Sequence, residues 1–225
     1  MKLIAFDVDG TILDTLDTIM YHVNETLNEN GFYKVEDKQY MRKILGYGSE
    51  YLIEKSLDSE YNQVYDKNIT KDILDKYTDR YNADPTYLTK PYEKIKDLLE
   101  VLKSENYLLA AYSNKPDVVL QPLIVSLFGE NLFDIVLGFQ PNSPSKPDPT
   151  VLNKIIAKLG VEKENAIYIG DSEVDVKTGK NTGLKTIAVT WGFRDRDFLE
   201  ETEADYIVDR VEELKEKIDL IFEGE

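Results

Sequence analysis

Residues 1–15, "MKLIAFDVDGTILDT", decide how the chain folds. The run Lys2 to Phe6 is apolar and short, and Gly10 and Thr11 close it. That pattern reads as a buried β-strand over residues 3–9. Asp7 and Asp9 stand at its end. Two like charges two residues apart project to the same side of an extended chain. They repel each other, and both lose hydration beside a sheet. Either a cation or exposure on a loop must offset that cost.

Working outward, residues 15–30 read as a helix, with Leu16, Ile19, Met20, Val23 and Leu27 on one face and Gly31 as its stop. Residues 36–82 are rich in Tyr, Lys, Asp and Glu at helical spacing, without a convincing strand. From Pro91 the texture changes to alternation. "PYEKIKDLLEVLKSEN" predicts a helix with Pro at its start, "YLLAAYS" a strand, and "KPDVVLQPLIVSLFG" a helix kinked at Pro122. "FDIVLGF" predicts a strand, "DPTVLNKIIAKLG" a helix, "NAIYIGD" a strand and "SEVDVKTGKNTG" a helix. "LKTIAVT" and "DYIVD" predict strands, and "RVEELKEKIDLIF" a closing helix. Strands alternating with helices predict an α/β fold, a Rossmann-like parallel sheet covered on both faces. The helical block interrupts the first unit. We therefore expect a catalytic core of residues 1–14 and 85–225 carrying an inserted four-helix cap domain, residues 15–84.

The 225 residues carry a formal net charge of −16, which argues against nucleic acid as a partner. No run approaches the roughly 18 apolar residues of a membrane span. The N-terminus has no basic start followed by an apolar stretch, and the chain has no cysteine, so a cytoplasmic location is expected.

In open α/β sheets, ligands bind beyond the carboxyl ends of the strands. Asp7, Asp9 and Thr11 follow the first strand, and Ser113 and Asn114 follow the second. Lys146 lies in the loop after the third; Asp171, Ser172 and then Asp175 follow the fourth. Clustered carboxylates suit Mg²⁺, a hard cation. A lysine beside them suits a phosphate dianion. One carboxylate can attack phosphorus, and a second can move the proton.

"DVDGT", "SN", "SKPDP" and "GDSEVD", in this order, resemble the four motifs of the haloacid dehalogenase superfamily, and the helical insert resembles the cap of its phosphoglycolate-phosphatase-like members. The resemblance implies a Mg²⁺-dependent phosphomonoester hydrolase acting on a small phosphorylated metabolite through an aspartyl-phosphate. It implies Asp7 as nucleophile and Asp9 as general acid/base, with Lys146 neutralising the phosphoryl group. Gly10, Thr11, Ser113 and Asn114 would bind phosphate; Asp7, Asp9 and Asp171 would hold the metal, with Ser172 and Asp175 behind them. Asp9 stands where the superfamily's dehalogenases and phosphonatases lack a second aspartate, which argues against both. A hexose phosphomutase and a non-catalytic phosphate-binding module are the alternatives.

In the cap, "GYGS" permits a tight loop between helices. In the family that the chain resembles, a loop at this place reaches the active site, and the resemblance implies Gly46, Tyr47, Gly48 and Ser49, with Arg42 just before them, as candidates for substrate specificity. The six cap tyrosines (47, 51, 61, 65, 77 and 81) and the lone His22 read as cap packing, and Trp191 as packing at the end of a strand. The oligomeric state is expected to be monomer or homodimer.

Overall fold

The computed structural model describes residues 1–58 and 68–223; Tyr61 and Tyr65 lie outside them. β1 (Leu3–Phe6) is the centre of a six-stranded parallel sheet with β4 (Leu108–Pro116), β5 (Ile135–Phe139), β6 (Ala166–Gly170), β7 (Lys185–Val189) and β8 (Tyr206–Val208), in the order β5-β4-β1-β6-β7-β8. All four β1 residues are fully buried. Ile4 and Phe6 pack into one apolar cluster and Leu3 and Ala5 into another. This is why a central strand covered on both faces reads as a continuous apolar run instead of an alternating one. Each large side chain so buried contributes roughly 1.5–3 kcal/mol.

One face of the sheet carries α5 (Ile95–Ser104), α6 (Asp117–Phe128) and α10 (Val211–Glu223), packed through Leu99, Leu123 and Leu214. The other carries α7 (Thr150–Leu159), through Leu152 and Ile155, while α8 (Glu173–Thr182) packs against β6 and β7. α6 runs on through Pro122.

The chain leaves β1 through a tight turn, in which Thr11, Ile12 and Leu13 donate backbone N–H groups to the Val8 carbonyl. β2 (Leu13–Asp14) then pairs antiparallel with β3 (Lys90–Pro91). Pro91 therefore belongs to this ribbon, and the helix expected to begin there starts at Ile95. Between the two ribbon strands lie α1 (Leu16–Glu29), α2 (Lys38–Ile44), α3 (Ser49–Leu57) and α4 (Asn68–Ala83). Their apolar faces share one cluster that includes Leu16, Ile19, Met20, Val23 and Leu27, the face read from the sequence, and it takes in Val119 and Phe193 from below.

His22 is buried there, 4.7 Å from the Tyr81 ring centroid, and burial pulls its pKa below the usual histidine value. Trp191 packs edge-on to Tyr92 and donates its indole N–H to the Thr11 carbonyl at 3.0 Å. A short helix, α9 (Arg196–Glu200), precedes β8 and was not foreseen in the sequence.

Candidate active site

The carboxyl ends of β1, β4 and β6 bring distant residues together. Asp7, buried, donates its backbone N–H to the Ile169 carbonyl on β6, which fixes its Cα beside the next strand. Lys146 Nζ donates to Asp7 Oδ1 at 2.6 Å, to Asp175 Oδ1 at 2.6 Å and to Tyr168 OH at 3.0 Å. The three donors of an ammonium are thereby matched by three oxygens. Burial alone would lower the Lys146 pKa; Asp175 and Asp7 outweigh it and hold the ammonium charged.

Asp175 is itself fixed by Ser172, whose hydroxyl donates to Oδ2 at 2.5 Å and whose N–H donates to the same oxygen at 3.2 Å. The bond from the Ser172 N–H is one half of a capping box at the start of α8, whose other half runs from the Asp175 N–H to the Ser172 side chain. A Cβ on Gly170 would stand 2.2 Å from the Asp175 Cβ, so only glycine lets the strand end this close to the helix.

Asp171 accepts from Phe193 N–H at 2.6 Å and from Thr11 Oγ1 at 3.4 Å. Gly10, at φ +87°, lies against it: a Cβ there would be 2.4 Å from Asp171 Oδ2. Gly10 and Thr11, expected at the phosphate, thus lie against the Asp171 carboxylate. Asn114 works as a brace. Its Nδ2 donates to the Gly46 carbonyl at 3.0 Å and the Lys146 carbonyl at 3.3 Å, and its Oδ1 accepts from Lys146 N–H at 2.8 Å. Ser113, buried, accepts from the Lys115 N–H at 3.2 Å.

Oxygens of Asp7, Asp171 and Asp175 all lie within 4.8 Å of one another. Burial pushes the Asp7 carboxyl up to about 7, with Asp175 adding to the rise and Lys146 opposing it. Asp171 is raised well above the carboxylate range, first by burial and then by Asp175 and Asp7. Like charges in low dielectric destabilise one another's ionised forms. A divalent cation bound among these oxygens relieves that repulsion, so the donor set fits a hard metal ion. Asp175 has both oxygens held closely, by Lys146 at 2.6 Å and Ser172 at 2.5 Å, whereas Asp171 Oδ1 has only the 3.4 Å contact from Thr11 and Asp7 is held through one oxygen, which leaves Asp7 and Asp171 as the better-disposed side-chain ligands.

Between this cluster and the four helices lies a cleft of about 590 Å³, its open mouth included. Asp7, Asp9, Ser113, Asn114 and Lys146 line it from the sheet, and Gly46, Gly48 and Ser49 from the helical side. The other two specificity candidates, Arg42 in α2 and Tyr47 in the loop after it, turn elsewhere. Arg42 donates to the Gly192 carbonyl at 3.1 Å, and Tyr47 donates to Glu173 Oε1 at 2.5 Å.

Two residues passed over in the sequence stand out. Lys115, buried in the cleft wall, pairs with both Asp9 oxygens at 3.0 and 3.2 Å. Arg194 pairs with Glu173 and donates to carbonyls at the end of α2. Neither has a local signal: a lysine before a proline and an arginine in "FRDRD" both look like solvated charge, and Asp9 is about 100 residues from Lys115 while Glu173 and the α2 carbonyls are about 20 and 150 residues from Arg194. The pair "NK" directly after the Ser113 position was the available clue to Lys115.

The haloacid dehalogenase-like hydrolase family profile matches residues 4–189. A phosphoglycolate phosphatase of Aquifex aeolicus is 32% identical over 193 residues, covering 86% of each chain. One of Haemophilus influenzae is 28% identical over 211 residues, covering 92% of this chain and 94% of its own. A solved structure from Lactobacillus delbrueckii subsp. bulgaricus superposes with a TM-score of 0.86 at 30% identity, over 97% of this chain and 99% of that one. The chain therefore belongs to the haloacid dehalogenase-like hydrolases, and its enzyme class is that of a phosphatase.

Proposed function

We propose that this hydrolase cleaves phosphomonoesters of a small metabolite through an aspartyl-phosphate on Asp7, with residues 1–14 and 85–225 as catalytic core and residues 15–84 as a cap that closes over the substrate. The observation that carries this reading is Asp7 itself. One of its oxygens is held by Lys146 at 2.6 Å, and the residue opens into the cleft it shares with Asp9. That fixes the carboxylate and leaves an oxygen lone pair for attack on phosphorus.

As the new O–P bond forms, the ester O–P bond breaks, and the departing oxygen takes a proton from Asp9. Asp9 then takes a proton from water as that water attacks the phosphorus of the aspartyl-phosphate. Inorganic phosphate leaves and Asp7 is restored. Lys146 keeps a positive charge beside the transferred group throughout, and Ser113 and the cleft-facing backbone orient it. Mg²⁺, held by Asp7 and Asp171 side chains with the Asp9 carbonyl, would supply further neutralisation of the phosphoryl oxygens.

The rival hexose phosphomutase would need a cationic cap group to hold a second phosphate. Among the described cap residues lining the cleft there is none, since Arg42 turns to Gly192 and Lys55 to Asp58. This supports hydrolysis over transfer. The phosphoglycolate phosphatases among its relatives support a small phosphorylated acid as substrate. The test is Asp7→Asn, assayed for phosphate release from a panel of small esters with Mg²⁺. Turnover should fall at least about a thousandfold with an unchanged circular dichroism spectrum, because a covalent nucleophile supplies several kcal/mol of the barrier reduction. A folded variant retaining more would overturn the assignment.

A further inference from the structure

The cleft holds a second buried ammonium that the phosphoryl chemistry leaves unused. Lys115 lies two residues beyond Ser113, where β4 continues past the point at which its sequence suggests a turn. Its side chain is 5% exposed. Nζ donates to Asp9 Oδ1 and Oδ2 and, at 3.0 Å, to the hydroxyl of Tyr81 on α4. It also lies 4.1 Å from the Tyr81 ring centroid. Lys146, the other cation among the described residues lining the cleft, is committed to Asp7, Asp175 and Tyr168. Ile19, Leu52 and Val119 give the same cleft apolar lining.

A charged group is expensive to bury without a partner. Asp9 supplies one here, but Asp9 also faces the substrate. A ligand that occupies the cleft and contacts Asp9 must therefore either leave Lys115 in place or offer it another anion. We propose that Lys115 is the residue that reads the end of the substrate remote from the phosphate, and that this end is an anion such as a carboxylate, which takes the ammonium over from Asp9 while Tyr81 remains its second contact. A neutral tail gives Lys115 nothing in exchange, and a cationic tail meets repulsion. The anion must be close to the ester, because Lys115 Nζ stands 3.0 Å from Asp9, the residue that protonates the departing oxygen. This inference rests on the phosphatase reading and deepens it. Lys115 is thereby a specificity residue, distinct from a lysine that merely positions Asp9.

Three esters of nearly equal size separate these roles: 2-phosphoglycolate with an anionic tail, 2-hydroxyethyl phosphate with a neutral one, and phosphoethanolamine with a cationic one. In the unmodified enzyme kcat/KM should be roughly 30-fold higher for the first than for the second, the worth of a charge-assisted hydrogen bond, and lowest for the third. In Lys115→Met the ratio between anionic and neutral tails should collapse towards one, and Lys115→Arg should recover part of it. A lysine that only positions Asp9 would lower all three esters by the same factor, and an unchanged ratio in Lys115→Met overturns the proposal. So does a ratio near one in the unmodified enzyme. Binding provides a readout independent of both turnover and the folding of the Lys115 variants. Calorimetry on Asp7→Asn should show 2-phosphoglycolate binding roughly 30-fold tighter than 2-hydroxyethyl phosphate, and equal affinities overturn the inference. Absence of phosphate release from every ester by the unmodified enzyme would refute the phosphatase reading, while the role of Lys115 would still be decided by that binding ratio, which should fall towards one when Lys115→Met is added to Asp7→Asn and would overturn the inference if it did not.

Discussion

Asp205 stands just before β8 and accepts from Lys180 at 2.8 Å, Lys185 at 3.1 Å, and the Thr186 N–H and hydroxyl at 2.8 and 3.1 Å. Burial alone would raise its pKa; hydrogen bonds from Lys180, Thr186 and Lys185 outweigh it and bring the carboxyl down to about 2. An unfolded aspartate titrates near 4. A depressed folded value means stability that is present above about pH 4 and is lost as pH falls towards about 2. Asp205→Asn should therefore lower stability at neutral pH by about 1–2 kcal/mol and flatten the acid limb across that window. Urea unfolding at a series of pH values checks this, and an unaltered acid limb would contradict it. At this scale the sequence is uneven evidence. Asp7 and Asp9 were legible because they stand two residues apart just beyond the end of β1, so their conflict is visible in a local spacing. Lys115 was not, because burial, which turns a lysine from solvated charge into an anion receptor, is a property of the folded chain. Thr11 and Asn114, expected at the phosphate, also make contacts that no local signal shows: the first touches Asp171 and the second braces the Lys146 loop against the helical insert.

Arg194, in the loop after β7, ties the helical insert to the sheet. It donates to both Glu173 oxygens at 2.8 and 3.0 Å, and to the carbonyls of Arg42 at 2.5 Å and Leu45 at 3.1 Å. The last carbonyls of a helix have no partner within it, and a cation there also meets the negative end of the helix dipole. Arg194 so completes the end of α2, and Arg42 returns a bond to Gly192. Arg194→Met would leave Glu173, 13% exposed, with Tyr47 as its remaining side-chain partner and the α2 carbonyls without their donor. We expect a loss of roughly 3 kcal/mol and faster amide hydrogen exchange concentrated in α2 and α3. Acceleration spread evenly over the sheet would contradict a local clasp. The six sheet strands and the long core helices were legible here, since an apolar run or a 3.6-residue stripe is a local signal. The ribbon was not: β2 and β3 are two residues each, hydrogen-bonded across the whole insert, and Pro91 suggested a helix start. β4 outruns its predicted end because the strand shifts register against β5 between Tyr112 and Pro116 and carries Lys115 past the turn signal.

Over the whole molecule, a formal charge of −16 surrounds a site in which Asp7, Asp171 and Asp175 converge. Such a field gathers cations generally, so a metal site has to be told apart from diffuse screening. A specific site saturates and stabilises by an amount that grows as the logarithm of metal over dissociation constant, about 2.7 kcal/mol at a hundredfold excess. For a chain of this length that is a rise in Tm of several degrees, roughly 2–4 °C per kcal/mol. Diffuse screening depends instead on ionic strength and is reproduced by sodium chloride. MgCl₂ should therefore raise Tm well beyond NaCl of matched ionic strength. Asp171→Asn should lose most of that difference, whereas Asp197→Asn, on the exposed α9, should keep it. Activity should vanish in excess chelator and return with Mg²⁺. An equal rise with NaCl, or an undiminished Mg²⁺ effect in Asp171→Asn, would remove the metal from this site and return the carboxylate repulsion to Lys146 alone. That last outcome would conflict with Lys146 itself, whose single charge already faces two of the three carboxylates at 2.6 Å.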